Sequence, residues 1–314
     1  MFNIVYSFDE NYNQQAFVSI CSLMEKISRD CNIFILHKDG ISFKNYEKEL
    51  LKNFRNLKLS IFTFVNEGYF FPKLDSAHVS EATYYRLYFD KYIPNDIEYF
   101  LYIDADVICM NDPSETIDYV FSELSKSKYV IAAREELASS TGEVSRRKSL
   151  GVTSAYFNAG IFFINFNSLL NDGTFEILRT KTKELEKEIV FWDQDILNSF
   201  YNGNFLKLQS NLNFNPNDIT DLSKVTNKSY IKFLHYQGSN KPWNIDGIFS
   251  KYSIYYHKIY KKYGLGTYHI TTTWKTYTLK KFINSIFTLK FLKLRYPLKY
   301  ITSVIILLLS KKAN

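Results

Sequence analysis

The sequence predicts an α/β protein built on a parallel, doubly wound sheet. Three observations predict it. Short apolar, strand-like runs alternate with longer segments of helical periodicity. A length of 314 residues suits one large α/β domain with appendages, or two domains. The apolar run Tyr99-Phe100-Leu101-Tyr102-Ile103 flows directly into Asp104-Ala105-Asp106. Polar residues at the carboxyl end of a strand are where such sheets hold ligands.

Residues 2–8 read as a buried strand, and residues 12–27 as a helix with Phe17, Ile20, Cys21, Met24 and Ile27 on one face. A second strand, 32–36, stops near Asp39-Gly40 and is followed by a helix at 43–54 and a strand at 57–65. Residues 80–92 fit a helix capped by Ser80 and ended before Pro94. The strand at 99–103 comes next, then strands at 129–133 and 160–165 and a helix at 193–201. Residues 211–221 are polar and irregular, 231–235 form a short strand ending in histidine, and 252–263 an aromatic-rich helix. A basic tail begins near Lys275. The expected division is an α/β domain over 1–250 and a helical, basic-amphipathic extension over 251–314.

Charge is segregated. Residues 275–314 hold nine Lys or Arg and no Asp or Glu, so the net +7 leaves residues 1–274 at −2. A nucleic-acid binder would spread its basic patch over the fold, so nucleic acid is not an expected partner. A basic tail interleaved with apolar residues reads as an anchor to a membrane surface. Phe282, Ile283, Ile286 and Phe287 suggest its apolar face, ringed by Lys280, Lys281 and Lys290. A basic helix packed on the body is the alternative. The apolar run at 304–309 falls far short of the roughly 20 residues of a membrane span. Cys21, Cys31 and Cys109 are odd in number and form no C-x-x-C pair, as suits free thiols in a reducing cytosol. The N-terminus has no basic stretch typical of a signal peptide.

Two carboxylates one residue apart, Asp104 and Asp106, can converge on one hard cation such as Mn²⁺ or Mg²⁺ where the backbone turns. A solvated strand-end turn gives the same spacing. His235 ends a strand and could supply an imidazole ligand, or serve structure alone. Lys241 could pair with phosphate oxygens, and Gly238 lets backbone approach closely. Asp193-Gln194-Asp195 opens a helix, where carboxylates serve as caps or as a polar cluster beside a sugar. Arg86 is a surface charge or an anion clamp.

Six motifs occur in order: Val5-Tyr6-Ser7-Phe8-Asp9-Glu10-Asn11-Tyr12; Ser80-Glu81-Ala82-Thr83-Tyr84-Tyr85-Arg86-Leu87; Tyr102-Ile103-Asp104-Ala105-Asp106; Tyr156-Phe157-Asn158-Ala159-Gly160; Trp192-Asp193-Gln194-Asp195-Ile196-Leu197-Asn198; and His235-Tyr236-x-Gly238-x-x-Lys241-Pro242-Trp243. Together, from Met1 to about Trp243, they make the chain resemble the bacterial family 8 glycosyltransferases, which include lipopolysaccharide galactosyltransferases and glucosyltransferases. The resemblance implies a GT-A fold, a Rossmann-like, mixed and mostly parallel sheet flanked by helices. It implies a retaining hexosyltransferase using UDP-galactose or UDP-glucose with Mn²⁺ or Mg²⁺ and a saccharide or lipid-linked acceptor.

By motif position, Asp104, Asp106 and His235 would hold the metal. Ser7, Asp9, Asn11 and Tyr12 would meet the uridine, and Arg86 the donor sugar or nucleotide. Ala105 lies between the metal carboxylates, and Asn158 and Ala159 would line the sugar pocket. Asp193 and Gln194 would contact the transferred hexose, while Gly238 and Lys241 would hold the diphosphate. Glu135 is a looser candidate for a sugar contact, and His78 for the acceptor cleft. Retaining glycosidases use a carboxylate nucleophile. The amide Gln194 is a poor one, which favours front-face attack assisted by the leaving phosphate. Phe8 and Glu10 depart from the usual first loop and leave the base contacts there less defined. The tail resembles that of members acting on lipid acceptors and implies peripheral attachment to the inner face of the cell membrane. Two other functions share some features. A metal-dependent nucleotidyltransferase would carry a Gly-rich loop where Ser7-Phe8-Asp9-Glu10-Asn11 stands. A non-catalytic scaffold would have no need of the complete metal set.

Overall fold

A computed structural model describes residues 1–72, 80–217, 228–272 and 274–310. His78 lies outside the described residues. Seven strands form one sheet: β1 (Phe2–Phe8), β2 (Cys31–His37), β3 (Leu57–Thr63), β4 (Tyr99–Ile103), β6 (Ile131–Glu135), β7 (Phe157–Asn165) and β8 (Leu206–Lys207). Their order is β3-β2-β1-β4-β7-β6-β8. β5 (Val107–Cys109) and β9 (Phe233–His235) pair separately as an antiparallel ribbon.

The strand–helix alternation predicts a parallel sheet, and the pairs β1–β2, β2–β3, β1–β4 and β6–β8 are parallel. β7 is the exception, antiparallel to both β4 and β6. The sheet is therefore mixed, as a GT-A fold requires. Its reversed strand enters from the carboxyl edge of β4, so Asp104 N–H donates to Gly160 C=O at 2.8 Å. Two motifs more than fifty residues apart become neighbours at that edge.

Alternate residues along each central strand feed two cores, as a strand's two-residue period dictates. Ile4, Tyr6, Leu101 and Ile103 pack on one face with α1 (Asn13–Met24) and α4 (Ser114–Lys126). Val5, Phe100 and Tyr102 pack on the other with α8 (Trp192–Tyr201) and the aromatic stretch Tyr84–Phe89. The remaining helices of the body are α2 (Lys44–Asn53), α3 (Phe89–Tyr92), α5 (Thr141–Ser149), α6 (Phe166–Asn171) and α7 (Thr174–Glu184). Those at 114–126, 141–149 and 166–184 fall where sequence periodicity assigned nothing.

Residues 80–92 are not one α-helix. Ser80 does cap the segment, accepting from Ala82 N–H at 3.2 Å. Glu81–Tyr88 then winds as a 3₁₀-helix before α3. At three residues per turn, Thr83 and Arg86 align, and Arg86 Nε donates to Thr83 C=O at 3.1 Å.

The chain ends in α9 (Ser253–Lys262), α10 (Lys275–Phe287) and α11 (Pro297–Leu309). The packing does not stop at residue 250: Tyr252, Tyr256, Ile259 and Tyr260 join the core beneath α1. Tyr300, Val304 and Leu307 of α11 form a third cluster with Ile245, Ile248 and Ile270. Of the apolar face expected on α10, Phe282 and Ile286 turn inward and are half-buried, while Ile283 and Phe287 are exposed. Among the described residues, no helix is long and apolar enough to cross a membrane.

Candidate functional site

A cavity of about 710 Å³ opens at the carboxyl ends of β1 and β4. Ser7, Asp9, Tyr12, Arg86, Asp104, Ala105, Asp106, Asn158, Ala159, Asp193, Gln194, His235, Gly238 and Lys241 all line it. Asn11 does not. Its backbone and side-chain amides, at 3.1 and 3.3 Å, instead hold the Asp9 carboxylate. Glu135 also falls outside, paired with Lys207 at 2.7 Å. The register shifts between Ala133 and Glu135, and it is Glu136 that lines the cavity.

Asp104, Asp106 and His235 offer ligand atoms that all lie within 4.8 Å of one another. Asp106 Oδ1 is buried and accepts no hydrogen bond among the described residues, with His235 Nε2 3.2 Å away. A buried carboxylate oxygen beside a ring nitrogen, with a second carboxylate close by, is a donor set suited to Mn²⁺ or Mg²⁺. Lys241 contacts the other Asp106 oxygen and donates to Tyr236 C=O at 2.5 Å. Burial pushes the Asp106 carboxyl up, but Lys241 and His235 outweigh it and hold the group well below the usual carboxylate range.

Backbone fixes the imidazole from behind. β7 passes so close that a Cβ on Gly160 would lie 2.1 Å from His235 Cε1, so only glycine fits there.

Arg86 is 5% exposed and joins the two sides of the cavity. It donates to Ala159 C=O at 2.5 Å and to Asp104 at 2.9 Å, lies 3.0 Å from Asp193, and stacks 4.2 Å over Tyr102. A guanidinium buried against two carboxylates is a clamp rather than a surface charge. Burial, with Asp104 nearby, pushes the Asp193 carboxyl up to about 7 despite Arg86.

Asp193 and Gln194 stand at the start of α8, and the approach to it is unusual. Trp192 adopts φ +46°, a left-handed conformation in a non-glycine residue. Asp195 holds it, accepting from Val190 and Phe191 N–H at 2.8 and 2.7 Å and from Tyr156 and Arg146 at 2.6 and 2.7 Å. Asp195 is fully buried and structural. Gln194 Oε1 accepts from Ala159 N–H at 3.0 Å and Asn158 Nδ2 at 3.2 Å, while its Nε2 donates to Tyr156 at 3.2 Å. Both ends of the amide are thereby assigned.

Sequence reasoning missed Asn213, which is fully buried and touches both His235 and Asn158. The only signal was alternation: Asn211-Leu212-Asn213-Phe214 spaces polar residues between apolar ones, as a chain lying along a core would.

The profile of a family described as "Glycosyl transferase family 8" matches residues 3–247. Lipopolysaccharide 1,3-galactosyltransferase of Salmonella typhimurium is 27% identical over 256 residues, 79% of this chain and 74% of the relative. Lipopolysaccharide 1,2-glucosyltransferase of Escherichia coli is 24% identical over 255 residues, 77% of this chain and 73% of the relative. The solved structure of galactosyltransferase LgtC in complex with donor and acceptor sugar analogs superposes with a TM-score of 0.68 at 20% identity. It covers 88% of this chain and 99% of that one.

Proposed function

Because the chain belongs to glycosyl transferase family 8 and is a glycosyltransferase, we propose that it is a retaining hexosyltransferase moving galactose or glucose from a UDP-sugar to a saccharide acceptor of a cell-surface glycan. One observation carries this reading. A single cavity joins the cation-suited set Asp104, Asp106 and His235 to Lys241 on one side and to the hydrogen-bonding wall Asn158, Asp193 and Gln194 on the other. Relatives named as lipopolysaccharide galactosyl- and glucosyltransferases support the hexose and the class of acceptor.

A bound Mn²⁺ or Mg²⁺ would supply positive charge to the diphosphate as it departs. The chain's own residues do the rest. Asp9 and Tyr12 offer a carboxylate and a half-buried ring for the uridine, and Ser7 lies beside them. Lys241 offers a second cation to the diphosphate, and the positive φ of Gly238 (+71°) turns the backbone at that point. Arg86 bridges Asp104 and Asp193, one cation shared by two carboxylates. Gln194 presents its Nε2 end towards Tyr156, while its oxygen already accepts two hydrogen bonds. An amide oxygen so engaged is a weak nucleophile, which supports front-face attack on the sugar.

The proposed location is the inner face of the cell membrane, where a lipid-linked or lipopolysaccharide acceptor would be met. Exposed Phe287, Leu298, Ile306 and Leu309 on α10 and α11, among basic residues of the tail, support peripheral attachment.

The test is UDP release and hexose transfer from UDP-galactose and UDP-glucose with Mn²⁺, for the native chain and Asp106→Asn. We expect release with one donor and a loss of about two orders of magnitude or more in the variant. No release from either donor overturns the reading.

A further inference from the structure

The site contains a chain of side-chain amides whose directions are all forced, because it begins at backbone N–H groups that can only donate. Gly160 N–H donates to Asn158 at 3.1 Å, so that atom of Asn158 is the carbonyl oxygen. Asn213 approaches the same oxygen at 3.0 Å and must therefore present its NH₂. The remaining end of Asn213, its oxygen, then lies 2.9 Å from His235 Nδ1. An amide oxygen can only accept, so Nδ1 carries the ring proton. Gln237 Nε2, 3.3 Å from both Asn213 Oδ1 and His235 Nδ1, donates to the same oxygen. With Nδ1 committed to Asn213, Nε2 is the ring nitrogen that faces the orphaned Asp106 Oδ1, 3.2 Å away, and the one whose lone pair is open to a cation when the ring is neutral.

Asn213 is itself immobilised. It is fully buried, and its backbone carbonyl accepts from Arg134 at 2.7 Å. Phe214 N–H donates to Phe233 C=O and His235 N–H to Phe214 C=O, both at 2.9 Å, which locks this segment in register beside β9.

We propose that Asn213 is the positioning residue of the cation site, fixing the tautomer and the ring plane of His235 so that an unprotonated Nε2 meets a divalent cation. It acts through His235 and touches neither sugar nor nucleotide. Asn158 forms the other half of the device. Its Nδ2 donates to Gln194 Oε1 at 3.2 Å and to Glu136 at 3.1 Å, so the same relay that orients the imidazole also reaches the hexose wall. A partner that fixes the far nitrogen of a ligating histidine contributes to metal affinity on the order of 10- to 100-fold.

The role rests on the cation reading above, and the experiment separates the two. Mn²⁺ binding, with and without UDP, is measured by calorimetry for the full chain and for Asn213→Ala, and the His235 ring tautomer of each is read by ¹⁵N NMR. Asn213→Ala removes the acceptor and should weaken Mn²⁺ by about tenfold or more, with kcat largely regained at saturating Mn²⁺. In the metal-free native chain the neutral His235 ring should hold its proton on Nδ1, and Asn213→Ala should lose that preference. Should the alanine variant fail to fold, Asn213→Ser removes the reach of the acceptor with a smaller cavity and is expected to weaken Mn²⁺ likewise. Native Mn²⁺ affinity in a folded acceptor-less variant overturns the proposal. So does an unchanged His235 tautomer in Asn213→Ala, since that marks a merely structural position. No Mn²⁺ binding by the native chain overturns the cation reading, and this role with it.

Discussion

Gly160 illustrates how closely backbone and imidazole are matched at the residue scale. Its missing Cβ is the space in which the His235 ring sits. Gly160→Ala should drive the ring off its line to Asp106 and weaken divalent-cation binding roughly tenfold, the size of effect seen when a ligand's support is disturbed. Calorimetric titration of a folded variant checks this, and an unchanged affinity would refute it. Both residues were legible in the sequence as parts of separate motifs, and so were Asp104, Asp106, Arg86 and Lys241. That Gly160 and His235 touch was not legible, because nothing in either motif encodes the other's position. Asn213 was invisible for a related reason. Its contribution is a direction of hydrogen bonding, set by partners on β7 and β9, and it stands in a stretch that reads as an irregular loop. Glu135 and Glu136 show the finest limit: a one-residue register shift in β6 decides which of two adjacent carboxylates reaches the cavity.

Elements were legible where the period was clean. β1, β4 and α8 appear within a residue or so of the boundaries read from apolar spacing, since burial on one or both faces leaves an unambiguous pattern. The 3₁₀ stretch Glu81–Tyr88 was not, because tertiary demands select it: Arg86 has to reach Asp104 while Tyr84, Tyr85 and Tyr88 stay buried. The reversal of β7 was equally hidden, as strand direction leaves no trace in hydropathy. The C-terminal hairpin mixes both lessons. Its basic, apolar character is plain in the sequence, but α11 buries Tyr300 and Val304 completely against the body. Deleting the chain from Lys275 would therefore uncover a core, and surface substitution is the cleaner probe of membrane attachment. Replacing exposed Phe287, Leu298 and Leu309 with serine should abolish co-sedimentation with anionic phospholipid vesicles and leave UDP release within about twofold, since burial per apolar side chain contributes on the order of 1.5–3 kcal/mol. A triple variant that still sediments would rule out this surface.

Across the whole molecule, the C-terminal extension after residue 250 and the site are connected from behind. His257 Nε2 donates to Pro242 C=O at 2.9 Å, and His269 meets Tyr256 at 2.6 Å and stacks near Trp243. These contacts brace the loop that carries Gly238 and Lys241. Burial lowers both imidazoles from 6.5, His257 to about 4 and His269 to about 3. Each is neutral in the folded chain, whereas the unfolded chain takes up a proton near 6.5. Their contribution to stability is complete above about pH 6.5 and is lost as pH falls towards 4. Metal-free protein should lose on the order of 3 kcal/mol per imidazole over that window, beyond what its carboxylates explain. Urea unfolding at a series of pH values checks it, and His269→Gln should flatten the slope. An equally steep slope in that variant would refute the assignment.

Trp192 stands in a left-handed conformation just ahead of Asp193 and Gln194, held there by the hydrogen bonds that converge on Asp195. Such a conformation costs on the order of 1 kcal/mol or more outside glycine and persists only where surroundings over-determine it. Two demands then meet at this position, a backbone angle that favours glycine and a ring packed against the core. Trp192→Gly relieves the first and forfeits the second, so the unfolding temperature should fall, and the carboxylate and amide that line the cavity should loosen with it. A library screened for stability alone would therefore be expected to keep tryptophan here, strain and all.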